Sequence, residues 1–145
     1  MNAAYTRYLL LSLLVFVANV QAAEPQTYQQ AFELNRAMYG KGHLFTWQGQ
    51  EFSTDHPEEL DAQTPATRDK AEAMLHAAQV LNQRASELEY AWRMTAGLLE
   101  QAEQALRAGE FRQCMNLAAQ AHYQARMSIQ QAEYNQQHWR DAVPQ

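Results

Sequence analysis

Three residues of the chain could bind a soft metal ion. Cys114 and Met115 are adjacent, and His122 follows Met115 by seven residues, which places Met115 and His122 on one face of a helix. Thiolate, thioether and imidazole groups suit an ion such as Cu(I). The chain has no His-x-x-x-His pair, however, and methionines at helical spacing usually pack in a core. We therefore expect no metal and no cofactor, and keep these three residues as candidate ligands.

Cys114 is the only cysteine of the chain, so it cannot form a disulfide within it. In an exported protein such a thiol could act as a nucleophile or form a disulfide with another chain. It lies at a position in the small-residue repeat of the last predicted helix, where a thiol behaves as a small apolar side chain. We expect that packing role.

Acid–base catalysis requires two titratable groups that are held together in a pocket. The acidic pairs of this chain fall beside the apolar positions of the predicted helices, so we expect them on solvated faces. These pairs are Glu58 with Glu59, Glu87 with Glu89, and Glu100 with Glu103. The chain also lacks a Gly-rich phosphate loop and a nucleophile elbow. We therefore expect no catalytic residue and no enzyme activity.

A protein-binding surface is the third possibility. Trp92 and Arg93 are adjacent, and Tyr123 lies in the next predicted helix. Trp, Arg and Tyr are the side chains that most often anchor protein interfaces. Trp92 also falls on the apolar repeat of its helix, so burial in the core is an equal alternative. We take Trp92, Arg93 and Tyr123 as the candidate partner-binding residues.

The beginning of the chain has the pattern of a secretory signal peptide. Arg7 precedes an apolar run, and small residues follow it up to Ala22. The run from Leu9 to Val20 is too short to span a bilayer. We therefore predict that residues 1–22 are a signal peptide cleaved after Ala22, that the mature chain has no membrane span, and that the protein is periplasmic.

The net charge of the chain is −5 at pH 7. Nucleic acids and anionic lipids bind basic surfaces, so neither is expected as the main partner. Another protein, or a second copy of the chain in a homo-oligomer, is the expected partner.

Residues 23–63 should form an N-terminal part that covers the longer helices. Residues 25–38 carry apolar side chains at helical spacing, which predicts a short helix that ends near Gly40. Residues 39–63 alternate turn residues with aromatic residues. This pattern predicts a folded aromatic loop that packs against the helices.

Residues 64–139 are predicted to form a long antiparallel helical hairpin, and residues 140–145 a tail. Thr64 and Pro65 suit a helix start, and small or apolar residues then recur every three or four positions. One helix over residues 66–108 would be about 65 Å long. A bend near Gly97, or a break before Trp92, would shorten it.

Gly109 should end the first helix of the hairpin in a left-handed conformation, and Glu110 should begin the second. The inner face of the second helix, residues 110–138, consists mainly of small residues after Phe111. The residues of this face are Phe111, Cys114, Ala118, Ala121, Ala125, Ser128 and Ala132. The predicted fold class is therefore all-α: a long hairpin with the short N-terminal helix and the aromatic loop packed against it.

Roughly residues 82–133 carry a Trp-Arg pair, an Ala/Glu-rich helix, a Gly-acidic-aromatic turn and a second Ala/Leu-rich helix. In this pattern the predicted hairpin resembles the SoxXA-binding protein family. The matching positions are Trp92, Arg93, Thr95, Ala102, Glu103, Ala105, Gly109, Glu110, Phe111, Leu117, Ala118, Ala121 and Gln124. Met94 stands where the family pattern has Asp, and Cys114 stands where it usually has Ala.

This resemblance implies a periplasmic accessory protein that binds the haem-containing SoxXA cytochrome during thiosulfate oxidation and does no redox chemistry itself. The expectation is thus a non-enzymatic binding protein. The alternative is a structural envelope protein that forms homo-oligomers through its helical hairpin.

Overall fold

The computed structural model describes residues 27–139. These residues form five helices and one two-stranded sheet, so this part of the chain is mainly helical. In chain order the elements are α1 (Tyr28–Tyr39), β1 (Leu44–Trp47), β2 (Gln50–Ser53), α2 (Pro57–Gln63), α3 (Arg68–Glu87), α4 (Arg93–Ala108) and α5 (Phe111–His138). The predicted signal peptide and the predicted tail lie outside the described residues. Within residues 27–139, no helix combines the length and the apolar character needed to cross a membrane.

α5 is the central helix and packs against α2, α3 and α4. Its buried face has the small side chains that the sequence predicts. Among them, Cys114, Ala118, Ala121, Ala125, Ser128 and Ala132 are all buried. Small side chains allow neighbouring helices to approach closely, so this core is held by close packing of backbones and methyl groups.

α3 and α4 occupy the span in which one long helix was the first expectation. The helical conformation is interrupted at Glu89, which has a left-handed φ of 62°. The N–H of Glu89 donates to the carbonyl of Ser86 (2.9 Å), and the N–H of Tyr90 donates to that of Ala85 (2.9 Å). The break therefore lies before Trp92, at one of the two predicted places. It leaves three long helices in this region instead of two.

α3 begins later than predicted. The hydroxyl of Thr67 accepts a hydrogen bond from the N–H of Lys70 (3.2 Å), so Thr67 caps the helix instead of Thr64. The turn after α4 agrees with the prediction. Gly109 has a left-handed φ of 78°, and Glu110 is the N-cap residue of α5.

The aromatic loop contains two strands, so the all-α prediction is wrong in this segment. β1 and β2 pair in antiparallel orientation, with Phe45 opposite Phe52. Gln48 and Gly49 connect them, and both have positive φ (49° and 78°). A two-residue connection of this kind matches the twist of paired strands. The strands have only four residues each, which is why their alternating pattern was hidden among turn residues.

α1 and the β-hairpin bury aromatic rings against each other, apart from the main core. Phe32 and Phe45 are buried, and Trp47 and Phe52 pack beside them. α1 starts after Thr27 and ends at Gly40, close to the predicted bounds. The molecule thus has an aromatic N-terminal part and an alanine-rich helical bundle.

Candidate binding groove

α2 connects the two parts of the molecule, and its position depends on contacts at both ends. At its start, the carboxylate of Glu59 accepts a hydrogen bond from the N–H of His56 (2.8 Å). At its end, the Arg112 side chain of α5 donates to the carbonyl oxygens of Ala62 and Thr64. These contacts satisfy polar groups that a short helix leaves unpaired at its termini. The two contacts of Arg112 also fix the end of α2 against α5.

Arg36 of α1 forms a two-pronged ion pair with Glu59 of α2. Its guanidinium nitrogens lie 2.7 and 2.9 Å from the Glu59 carboxylate, and one of them also donates to the carbonyl of Thr54 (2.8 Å). Burial would raise the pKa of Glu59, but the hydrogen bond and charge of Arg36, together with the hydrogen bond from the His56 N–H, lower it overall. Arg36 therefore attaches α1 to α2 by a charge-assisted contact.

Glu58 of α2 is buried, with 7% of its surface exposed. Arg126 of α5 donates to both of its oxygens (2.6 and 3.2 Å), and His122 Nδ1 lies 3.3 Å from one of them. Burial would raise the pKa of Glu58, but the hydrogen bonds from His122 and Arg126 outweigh it and hold the pKa well below its ordinary value. The ionised carboxylate of Glu58, paired with Arg126, is thus the favoured form.

The expectation that Glu58 and Glu59 lie on a solvated face is therefore wrong. Both carboxylates point to basic side chains of other helices, because α2 lies between α1 and α5. The sequence holds one signal for this arrangement. His122 and Arg126 are four residues apart, on the edge of the small-residue face of α5, and so form a basic pair that an acidic helix could cover.

The ring of His56 lies between two aromatic rings of different elements. It stacks on Tyr123 of α5 (centroid distance 4.4 Å) and is tilted against Phe32 of α1 (5.2 Å). Burial and the nearby Arg36 guanidinium lower the pKa of His56. The neutral ring is thus favoured in the folded protein. Sequence reasoning did not single out His56. The local signal that could have identified it is its position directly before Pro57, the first residue of α2.

Two candidate partner-binding residues lie in one groove of about 630 Å³ between α2, α5 and the start of α4. We call it the Trp92 groove. Among the residues that line it are Gln63, Trp92, Asn116, Gln120, Tyr123 and Gln124. Trp92 is 40% exposed, so the alternative that it is buried in the core is wrong. Because Tyr123 also stacks on His56, the groove is adjacent to the contacts that join the two parts of the molecule.

The packing of α4 on α5 brings Trp92 and Tyr123 to the same groove. Trp92 is the N-cap residue of α4, and three residues later the Thr95 hydroxyl donates to Gln124 Oε1 (2.9 Å). Thr95 is fully buried, so this hydrogen bond fixes the start of α4 beside Gln124. Arg93 is exposed and does not line the groove.

The candidate metal ligands do not form a cluster. Cys114 and Met115 are fully buried in the main core, and the Cys114 thiol faces the carbonyl of Ala71 (3.8 Å). Burial raises the pKa of Cys114, which favours the neutral thiol. His122 is directed to Glu58 instead. Within residues 27–139, no group of three or more His, Cys, Asp and Glu side chains is placed to hold a metal ion.

Comparison with known proteins gives no relative for this chain. It matches no protein-family model, no curated protein and no solved structure.

Proposed function

We propose that this chain is a non-enzymatic periplasmic accessory protein that binds another protein through the Trp92 groove. The main support is that Trp92 and Tyr123 lie in one groove, with Trp92 partly exposed. Aromatic side chains in a concave site contribute large apolar contact area and are enriched among interface residues with high binding energy. The hydrogen bond between Thr95 of α4 and Gln124 of α5 lies three residues from Trp92 and one from Tyr123, and so supports a defined position for both.

The proposed partner is a c-type cytochrome of the thiosulfate-oxidation system. This part of the proposal rests on the resemblance to the SoxXA-binding protein family, whose Trp-Arg pair corresponds to Trp92 and Arg93. Trp92 lies in the groove, and the adjacent Arg93 is exposed, so both are accessible to a partner. The periplasmic location rests on the predicted signal peptide, residues 1–22.

Binding to a purified SoxXA-type cytochrome tests the proposal directly. Biolayer interferometry should show saturable binding to the wild-type chain and at least tenfold weaker binding to Trp92→Ala. Trp139→Ala is the matched control, since Trp139 is also exposed (57%) but does not line the groove. Absence of binding to the wild-type chain, or an equal loss of affinity in the Trp92→Ala and Trp139→Ala variants, would contradict the proposal.

One observation favours a homo-oligomeric envelope protein, but one that assembles through α1 and not through the helical hairpin expected from the sequence. Leu34 and Met38 lie four residues apart on α1 and are 47% and 62% exposed, so α1 presents an apolar stripe to solvent. Light scattering should then show a species larger than one chain, which Met38→Glu would convert to the monomer. A wild-type chain that is monomeric at all accessible concentrations would exclude this function.

A further inference from the structure

Amide side chains form a row along the part of α5 that lines the Trp92 groove. Asn116, Gln120 and Gln124 follow one another at intervals of four residues. At the rise of an α-helix, each interval is about 6 Å and the whole row about 12 Å long. Gln63, from α2, adds a fourth amide to the same groove.

The row has hydrogen-bonding capacity that the described part of the chain does not use. Asn116 and Gln120 are exposed, and neither side chain makes a hydrogen bond within residues 27–139. Gln124 accepts the hydroxyl hydrogen of Thr95 through Oε1, which leaves its amide nitrogen as a donor. Asn116 and Gln120 each present donors and an acceptor, and Gln124 presents donors, so together they can pair with the N–H and C=O groups of another backbone.

We propose that the Trp92 groove binds an extended, uncharged peptide segment whose main chain pairs with this amide row. This inference rests on the proposed function and specifies how the protein partner is held. An extended chain advances about 6.7 Å every two residues, so alternate peptide groups recur at nearly the spacing of the row. The mismatch of about 0.7 Å per interval is small compared with the reach of a glutamine side chain. The row matches about four residues of extended chain.

The rest of the groove supports an uncharged segment. Its lining carries two basic side chains, Arg36 and Lys41, and two acidic ones, Asp55 and Glu59. Arg36 is already paired with Glu59, so the groove offers little net charge to a ligand. Trp92 and Tyr123 add apolar ring surface beside the row, where a side chain of the bound segment can pack.

Selection from a displayed library of random peptides of about 12 residues tests the inference without any assumption about the natural partner. Peptides selected on the wild-type chain are synthesised, and their affinities are measured by fluorescence anisotropy. The double variant Asn116→Ala/Gln120→Ala should bind them about tenfold more weakly, since two hydrogen-bonding side chains are lost. Both residues are exposed, so the variant should fold normally, which circular dichroism checks.

The control variant is Gln131→Ala/Gln136→Ala, which removes two exposed amides of α5 outside the groove and should leave affinity unchanged. Failure to select any peptide, or equal affinity for the wild type and the Asn116/Gln120 variant, would overturn the inference. Aromatic rings with amides also suit carbohydrates. Soluble glycan fragments that shift the NMR signals of these side-chain amides, with no such shift from peptides, would overturn it as well.

The same variants separate this inference from the proposed function. If the cytochrome binds, and its binding is weakened by Trp92→Ala but not by Asn116→Ala/Gln120→Ala, the proposed function stands and peptide binding to the amide row is wrong. If selected peptides bind through the amide row but the cytochrome does not bind, peptide binding stands and the proposed partner is wrong.

Discussion

The helical bundle and the N-terminal part are held together by different forces. The main core consists largely of alanines from α3, α4 and α5, together with the fully buried Met115. The N-terminal part is joined to the bundle through α2: Arg36 of α1 forms an ion pair with Glu59 of α2, and His56, at the start of α2, contacts Phe32 of α1 and stacks on Tyr123 of α5. Close packing is insensitive to salt and pH, whereas charged and titratable contacts respond to both. Four changes should therefore separate the two regions.

The largest effect should come from a cavity in the bundle. Met115→Ala removes a fully buried side chain and should lower the free energy of unfolding by about 2–5 kcal/mol. Met94→Ala is the matched control, because Met94 is 73% exposed and its loss should cost less than about 0.5 kcal/mol. Urea unfolding measures both. Similar costs for the two variants would mean that the core does not depend on close packing at α5.

The second effect should come from the buried carboxylate that joins α2 to α5. Glu58→Gln leaves Arg126 without its anion and should cost about 1–3 kcal/mol. Glu72→Gln, which breaks the exposed pair with Arg68, should cost less than about 0.5 kcal/mol. If urea unfolding gives the same value for both, Glu58 contributes no more than a surface charge.

The third effect should be local to the N-terminal part. Arg36→Gln removes the pair with Glu59, so amide hydrogen exchange in α1 should become several-fold faster while that of α5 stays unchanged. Arg84→Gln, which breaks an exposed pair within α3, is the control and should leave α1 unchanged. Faster exchange in α1 and α5 together would show that the two regions unfold as one unit.

The smallest effect should be the pH dependence that His56 adds. Its pKa is lowered in the folded state, so the unfolded chain binds more protons as pH falls below about 6.5, the ordinary histidine value. The stability contributed by neutral His56 is complete above that pH and is lost as pH falls towards the lower folded value. The free energy of unfolding, measured at a series of pH values, should fall less steeply with decreasing pH for His56→Phe than for the wild type. An equally steep fall in both proteins would contradict the assignment to His56.

Most of the bundle could be predicted from sequence because it is encoded locally. The recurrence of small residues every three or four positions predicted the buried face of α5, and Gly109 predicted the turn before that helix. The break at Glu89 was predicted only as one possibility, because the residue type of a glutamate does not indicate a left-handed conformation. The strands were missed because four-residue strands joined through Gln48 and Gly49 look like a loop.

The candidate site was less predictable because its contacts join distant parts of the chain. Trp92 and Tyr123 could be named from residue type, but their meeting in one groove depends on how α4 packs on α5. Glu58 was assigned to solvent, since its partners His122 and Arg126 are 64 and 68 residues away. Local patterns identify helix faces, but they do not show which faces meet.

NMR chemical-shift mapping tests the central claim, that the Trp92 groove binds a protein partner, most directly. The purified SoxXA-type cytochrome is added to the isotope-labelled chain, and the perturbed signals are assigned to residues. We expect changes at the Trp92 indole, Tyr123 and the side-chain amides of Asn116 and Gln120, with little change at Leu34 of the exposed α1 stripe. Perturbation confined to α1, or no perturbation at saturating cytochrome, would contradict binding in the Trp92 groove.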